Sequence, residues 1–481
     1  MTSHELLALA AVGLPAVVAV ALAVLPRRLV APVALAAAPA VSAPALVLAA
    51  WILYDPADPV VGNWLVVDAA GGLLLAVIAA VGVASTLASR PYLHGTAGSA
   101  RTYYAVLYVF WAVLLAVPLV GNLGGAWLLV EATTAASALL VGFSGKPRAL
   151  EAGWKYLILT SLGLGVALLG IVLLAAGTPG SGLGALSWHA LGSYTAGSDR
   201  ALVAYVLLLG GLAAKIGWAP VHNWLPDAHS EAPPPVSALL SAALLPAVLL
   251  VAWRSEHALA PVVGERTAAT VLVAFGLGSL AVAVPFLWRA LPWKRLLAYS
   301  SLEHMGVIAL GIGFGSPLAL AGVTVHISAH AVAKALGFYA ATPLLAHEPR
   351  AAEHAVGGIA RTSRPLGAAV GVSLGALSGL PPSPLFVSEV LIVAGGFEAG
   401  RAWAAAAAAL LLALGFLGLA HNLLDTAAGD APAPHRGTEP IALRGVTALT
   451  VVCTALLLAL TGAAVWLPGT ALVEALLRGA P

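Results

Sequence analysis

Charge is scarce in this sequence. Asp, Glu, Lys and Arg make up 9% of its 481 residues, against about 25% in a typical soluble domain. Cysteine is nearly absent: the single Cys453 excludes a disulfide framework and any cysteine-rich metal or iron–sulfur site. No basic patch is present to hold nucleic acid, and a net charge of +2 says little about partners. Glycine pairs such as those in GIGFG fall inside apolar runs. They lack the strand–turn–helix setting that a dinucleotide fingerprint needs, so the chain is expected to bind no cofactor and to carry out no redox chemistry of its own.

What is there is hydrocarbon: 61% hydrophobic residues, with a mean hydropathy of +0.98. Many windows exceed the roughly 20 apolar residues that cross a bilayer as a helix. The runs are continuous, not alternating, which excludes β-strands for nearly all of the chain. The N-terminus has no basic segment ahead of its apolar run, so it reads as a first membrane helix and not a cleaved signal peptide. The expected fold is an all-α polytopic membrane protein with about fourteen transmembrane helices. The spans fall at about 5–26, 30–54, 65–89, 102–119, 121–143, 153–176, 202–230, 235–253, 267–288, 295–315, 318–343, 366–397, 403–426 and 441–467.

Loop charge tests that count. Fifteen Lys and Arg fall in loops after odd-numbered spans, Lys294 among them, and five, including Arg254, fall on the other side. The remaining two, Lys215 and Lys334, lie within spans. The positive-inside rule then places both termini on the non-cytoplasmic side of a prokaryotic cytoplasmic membrane.

Two spans are interrupted, at GLAAKIGWAPVHNWLPDAHSEAPPP (211–235) and at SGLPPSPLFVSE (378–389). Gly/Pro-broken helices in matching positions of two halves point to an internal inverted repeat with ion sites at the breaks. The chain then divides into residues 1–90 (spans 1–3), 101–255 (first repeat, spans 4–8), 265–427 (second repeat, spans 9–13) and 441–481 (last span and tail). Each repeat has five spans, and an odd number inverts the second copy.

An ionisable side chain at mid-bilayer costs at least about 2.5–3.5 kcal/mol, and such residues usually mark an ion path or the bundle interior. Glu131, Lys215, Lys334 and Glu389 are four of them. Burial and pairing displace carboxyl and amine pKa values in opposite senses, so a Glu–Lys pair of variable separation works as a proton switch. A static buried ion pair is the plainer reading. His326, His330 and Lys334, four apart, line one helix face, and neutral imidazole passes a proton between its two nitrogens. Zinc on His326 and His330 lacks a third ligand in the pattern. His222, Asp227, His229 and Glu231 crowd the first break, with His229 the favoured participant. Glu303 and His304 open a later span and can feed the same line.

The stretches WLLVEATTAASALLVGF, KIGWAPVHNWLPDAHSEAPPPVSALLS, LLAYSSLEHMGVIALGIGFG, HISAHAVAKALGF and LSGLPPSPLFVSE carry a resemblance across about residues 60–430. The chain resembles the proton-conducting, antiporter-like membrane subunits of respiratory complex I, of membrane-bound [NiFe] hydrogenases and of Mrp sodium/proton antiporters. EAPPPVSALLS with SSLEHMG is most similar to the hydrogenase-4 F-type subunit. The resemblance implies fourteen helices with two inverted five-helix repeats. It also implies a functional pair at Glu131 and Lys215, a central line at His326, His330 and Lys334, and a terminal group at Glu389. Partners would be other membrane and peripheral subunits of a hetero-oligomeric complex; the transported ion would be the proton, with Na+ left open.

One position departs from the pattern. Several family members carry a lysine in the eighth span, and SALLSAALLPAVLLVAWR places Pro246 there. The chain also stops about a dozen residues after span fourteen, without the long lateral helix of the largest complex I subunit. Three other functions fit the sequence: a cation/proton antiporter module, the membrane half of an inorganic-carbon uptake pair with a carbonic anhydrase-like partner, and a structural subunit with a decayed path. Neighbouring genes would separate the first two from a redox complex.

Overall fold

A computed structural model describes residues 2–56, 60–94, 99–180, 182–430 and 443–479. Twenty α-helices follow in order: α1 Ser3–Val24, α2 Arg27–Tyr54, α3 Ala69–His94, α4 Ala100–Ala116, α5 Leu123–Val141, α6 Pro147–Gly177, α7 Trp188–Leu191, α8 Ser198–Ile216, α9 Leu225–Glu231 and α10 Pro234–Leu239. Then come α11 Leu245–Val263, α12 Glu265–Leu287, α13 Trp293–Phe314, α14 Pro317–His347, α15 Ile359–Thr362, α16 Arg364–Leu377, α17 Pro384–Glu398, α18 Ala402–Ala428, α19 Leu443–Ala464 and α20 Ala471–Arg478. Among the described residues, twelve segments are long and apolar enough to cross a membrane, α10 and α11 forming one of them. The interrupted pairs α8–α9 and α16–α17 supply the two further crossings that the sequence leads one to expect.

With no water in the hydrocarbon, backbone N–H and C=O groups must pair within the segment, which makes these apolar runs helical. Pro147, Pro234, Pro317 and Pro384 each stand at the first position of a helix, where the missing N–H costs nothing. Asn122 caps α5, its Oδ1 accepting from Gly125 N at 2.6 Å. The only strands among the described residues are Val60–Val61 and Val66–Val67, an antiparallel pair in the loop before α3.

Burial sorts the helices into a centre and a rim. The apolar windows of Pro234–Val263 and Trp293–Phe314 are wholly buried, and that of Pro317–His347 is 83% buried. Those of α1, α6 and α19 are only 28%, 33% and 22% buried, and residues such as Leu162, Leu169 and Val172 present apolar side chains outward. The central helices α11, α13 and α14 therefore carry the positions least accessible to lipid.

Both interruptions are built alike. α8 ends on Gly217, at φ +82°, the left-handed conformation in which glycine commonly terminates helices. After α16, Gly379 adopts φ +72°. Each break also contains a cis X–Pro bond, Ala219–Pro220 in one and Pro381–Pro382 in the other. Pro226 and Pro384 lie in the first turns of the helices that resume.

The eighth crossing differs from its expected bounds of 235–253. It runs from Pro234 to Val263 through a π-helical turn at Leu240–Leu244. Pro246 follows that turn; proline has no N–H to donate, and in a regular helix its ring meets the carbonyl four residues back. A widened turn is a common way to absorb such a defect. Arg254, expected in a loop, lies inside α11 at 5% exposure. α20 was not expected at all; it buries Val473, Ala475 and Leu476.

Close packing of α6 on α8 depends on small residues. A Cβ on Gly211 would lie 2.3 Å from Ala167 N and 2.4 Å from Gly163 O. Gly211→Ala should therefore lower stability by about 1–3 kcal/mol, read as an earlier unfolding transition. Gly210→Ala, with nothing within 4 Å of the new methyl, should change little.

Candidate functional site

Lys215 occupies the last turn of α8, one residue before the chain leaves the helix, and is fully buried. Its Nζ donates to Thr134 Oγ1 on α5 at 2.7 Å and to the Tyr156 hydroxyl on α6. It also lies 4.4 Å from the centre of the Tyr156 ring, within cation–π range. Tyr156 in turn shares a 2.7 Å hydrogen bond with Ser137, which donates to Thr133 O at 2.5 Å. The ammonium group thus rests in a cradle of neutral hydroxyls.

Glu131 is near but not paired with it. Its Oε1 accepts from Ser161 Oγ at 2.6 Å, and its buried Oε2 has no partner. Among the ion pairs within 4 Å, none joins Glu131 to Lys215. Glu131 and Thr134 are three residues apart on α5, an axial offset of about 4.5 Å. A lysine side chain can cover that distance by changing rotamer.

The short helix α9 is held from two sides. Lys294, read from sequence as a loop charge, is only 6% exposed and sits in the first turn of α13. It donates to Ser230 O at 2.6 Å and to Ala232 O at 2.5 Å, the carbonyls left unpaired where a helix ends. Asp227 on the same helix pairs with Arg295 at 3.1 Å and with Lys155 at 3.5 Å. His229 faces inward, fully buried, with both ring nitrogens unpartnered. Its ring stacks on Phe338 at 5.4 Å and approaches Trp224 at 6.5 Å. Trp224 lies 4.7 Å from Tyr156, so aromatic rings fill the space between Lys215 and the second half. His222 is nearly buried, while Glu231 is partly exposed.

The central groups converge around α13, α14 and α17. Lys334 is fully buried and donates to Leu297 O and Ser300 Oγ, both at 2.5 Å. His304 Nδ1 is 3.0 Å from His326 Nε2, and His326 Nδ1 is 2.8 Å from Ser388 Oγ. The His330 ring lies 5.0 Å from that of His304, with neither nitrogen partnered. Glu389 brings a ligand atom within 4.8 Å of those of His304 and His326. Glu303, 3% exposed, leaves one carboxylate oxygen unpartnered, and Gly415 of α18 makes room for the other, which a Cβ there would meet at 2.1 Å.

At the position of Pro246 the π-turn does something else. It sets Ser241 beside α13, where its hydroxyl shares a 2.8 Å hydrogen bond with Ser301, both groups fully buried.

Residues 120–415 match the family model described as NADH:quinone oxidoreductase/Mrp antiporter, TM. The chain belongs to that family. It is 32% identical over 396 residues to the hydrogenase-4 component F homolog of Methylacidiphilum infernorum (isolate V4), covering 79% of this chain and 82% of that protein. It is also 32% identical over 357 residues to NADH-quinone oxidoreductase subunit N of Desulforudis audaxviator (strain MP104C), covering 72% and 68%. A chain of the membrane-bound sulfane sulfur reductase, an archaeal respiratory membrane complex, superposes with a TM-score of 0.85 at 20% identity, over 98% of this chain and 97% of that one. That likeness establishes a shared fold.

As a member of the NADH:quinone oxidoreductase/Mrp antiporter family, the chain places the expected residues in two groups. Lys215 with Glu131 makes the first; His304, His326, His330, Lys334 and Glu389 make the second, and His229 stands between them. Sequence reasoning missed the hydroxyls that complete the first group, Thr134, Tyr156, Ser137 and Ser161. A single hydroxyl in an apolar helix carries no periodic signal. It also missed the buried ion pair of Asp68 with Arg254, at 2.8 Å, because the two lie 186 residues apart.

Proposed function

We propose that this chain is the proton-translocating membrane subunit of a hetero-oligomeric, complex I-like or hydrogenase-4-like redox complex in a prokaryotic cytoplasmic membrane. Both termini lie on the non-cytoplasmic side, and residues 101–255 and 265–427 are two inverted halves, each carrying one broken helix. The single observation that carries the reading is Lys215: a fully buried ammonium held by neutral hydroxyls, one of which, on Thr134, lies about one helical turn along α5 from Glu131 with its unpartnered oxygen. Such a group changes partner at small cost. When the partner reaction moves α8 or admits water at the break, Nζ passes from the Thr134–Tyr156 cradle to Glu131, where the carboxylate holds it in its charged form; on returning to the neutral hydroxyls it gives up its proton, which travels on.

The second half receives that proton through His229, Lys334 and the His330–His304–His326 cluster, ending at Glu389 beside the second break. The hydroxyl pair Ser241–Ser301 takes the place of a bridging lysine at the junction of the halves. Hydroxyl pairs pass protons without holding a net charge, so Pro246 is compatible with a continuous route.

Tyr156→Phe tests this. A hydrogen bond to a charged group contributes about 1.5–3 kcal/mol, so loss of the hydroxyl should slow proton flux in reconstituted vesicles about tenfold or more. The variant should still assemble, because the ring and its packing remain. Flux equal to that of the native protein would overturn the assignment of the cradle. Identifying the subunits that purify with the chain from native membranes tests the complex: redox subunits support the reading, and their absence contradicts it.

A further inference from the structure

A metal on His326 and His330 lacks a third ligand within their own helix. The fold supplies two from other helices, and with His326 they make a set that leaves out His330. His304 of α13, His326 of α14 and Glu389 of α17 each offer a ligand atom, and the three atoms lie within 4.8 Å of one another. His304 Nδ1 and His326 Nε2 are 3.0 Å apart. Two nitrogens on a tetrahedral Zn2+, with bonds of ~2.0–2.1 Å, stand about 3.3 Å apart. Little movement separates the two arrangements.

The hydrogen bonds also fix which nitrogens are free. Ser388 donates its one O–H to Leu385 O at 2.7 Å, so toward His326 Nδ1, at 2.8 Å, it accepts. His326 therefore carries its proton on Nδ1 and points the lone pair of Nε2 at His304. His304 Nδ1 supplies the proton in between. A metal ion entering here takes the place of that one proton, which moves to the unpartnered Nε2 of His304 as the ring changes tautomer, and gains both imidazole nitrogens at once. Ser388 is the outer partner that metal-bound histidines almost always have.

Charge and access also fit. Glu389 supplies a carboxylate ligand to a divalent cation on giving up its proton, and Glu303 stands near it with an unpartnered oxygen. A cavity of about 630 Å³ lined by Gly379, Phe386, Glu389 and Phe416 reaches the carboxylate at the helix break. Two imidazoles and a carboxylate suit Zn2+ or Co2+ and not the oxygen-seeking Mg2+ or Ca2+.

We propose that His304, His326 and Glu389 form a binding site for a divalent transition-metal ion of the Zn2+ class. The consequence for transport rests on the function proposed above: a metal held there replaces the shared proton and blocks the line.

The test uses the purified full chain in detergent with one equivalent of Co2+ or Zn2+. Co2+ should give a visible ligand-field band that Zn2+ bleaches. His326→Gln and Glu389→Gln should each weaken binding at least tenfold, and Ser388→Ala about tenfold, as for loss of an outer-shell partner. His189→Gln, at an exposed position of α7, should leave binding unchanged. X-ray absorption of the Zn2+-loaded native protein reads the same site without any variant and should show two imidazoles in the first shell. Equal binding by the native protein and both Gln variants, or fewer than two imidazoles, would overturn the proposal. Proton flux is measured separately. Binding at the assigned residues with flux undiminished supports the metal site and removes the His304–His326 pair from the proton route.

Discussion

Lys215→Met is expected to abolish proton movement in reconstituted vesicles while leaving the protein folded and its complex assembled. Methionine keeps the length and apolar stem of lysine and removes only the charge and its three donors. No counter-charge is stranded, because Lys215 is held by Thr134 and Tyr156 and not by an ion pair. Tyr156 keeps its bond to Ser137, so little buried polarity goes unsatisfied. The structural penalty is therefore small and the functional one complete. Lys146→Gln is the matched control: Lys146 is exposed at the start of α6, and its loss should leave flux near the native level. Full flux in Lys215→Met would rule out the switch.

The largest effect on stability is expected from Asp68→Ala. Asp68 and Arg254 are each 5% exposed. The guanidinium donates to both carboxylate oxygens, at 3.1 and 2.8 Å, and to Pro118 O at 2.8 Å. Asp68 Oδ1 also accepts from Gly71 N at 2.6 Å, capping α3. These bonds tie together the start of α3, the turn after α4 and the interior of α11. Removing one partner of a buried pair strands the other charge, at a cost of about 3–5 kcal/mol. A chemical or thermal unfolding curve should show a loss of that order. Replacing both, Asp68→Ala with Arg254→Met, should recover much of it, since two apolar groups leave no unpaired charge behind. A double variant as unstable as the single one would mean that the capping bond, not the ion pair, dominates.

How much of this could be read without coordinates depends on how many solutions each residue pattern has. A continuous apolar run in a bilayer has one, so the crossings and the two Gly/Pro breaks were legible. Glu131, Lys215, Lys334 and Glu389 were legible because charge is scarce and each sits in an oily run. Contacts between distant helices were not. The side chain of Lys215 can point toward Glu131 or toward the α5–α6 hydroxyls, and no spacing in the sequence chooses between them. Lys294 looked like one more basic loop residue beside Arg295, yet it turns inward to hold the end of α9. His304 and His326 are 22 residues apart on different helices, so their 3.0 Å contact is a product of the packing of α13 on α14. At Pro246 the sequence showed a missing lysine, but not the π-turn that brings Ser241 to Ser301 in its place.

The switching of Lys215 between two partners can be measured as its distance from Glu131 in the native complex, by electron cryomicroscopy at rest and during turnover. At rest, Nζ should lie on Thr134 and Tyr156, away from the carboxylate. During turnover, a second population should appear with Nζ within hydrogen-bond distance of a Glu131 oxygen. A single Lys215 position in both states, while protons are being moved, would contradict the proposed mechanism.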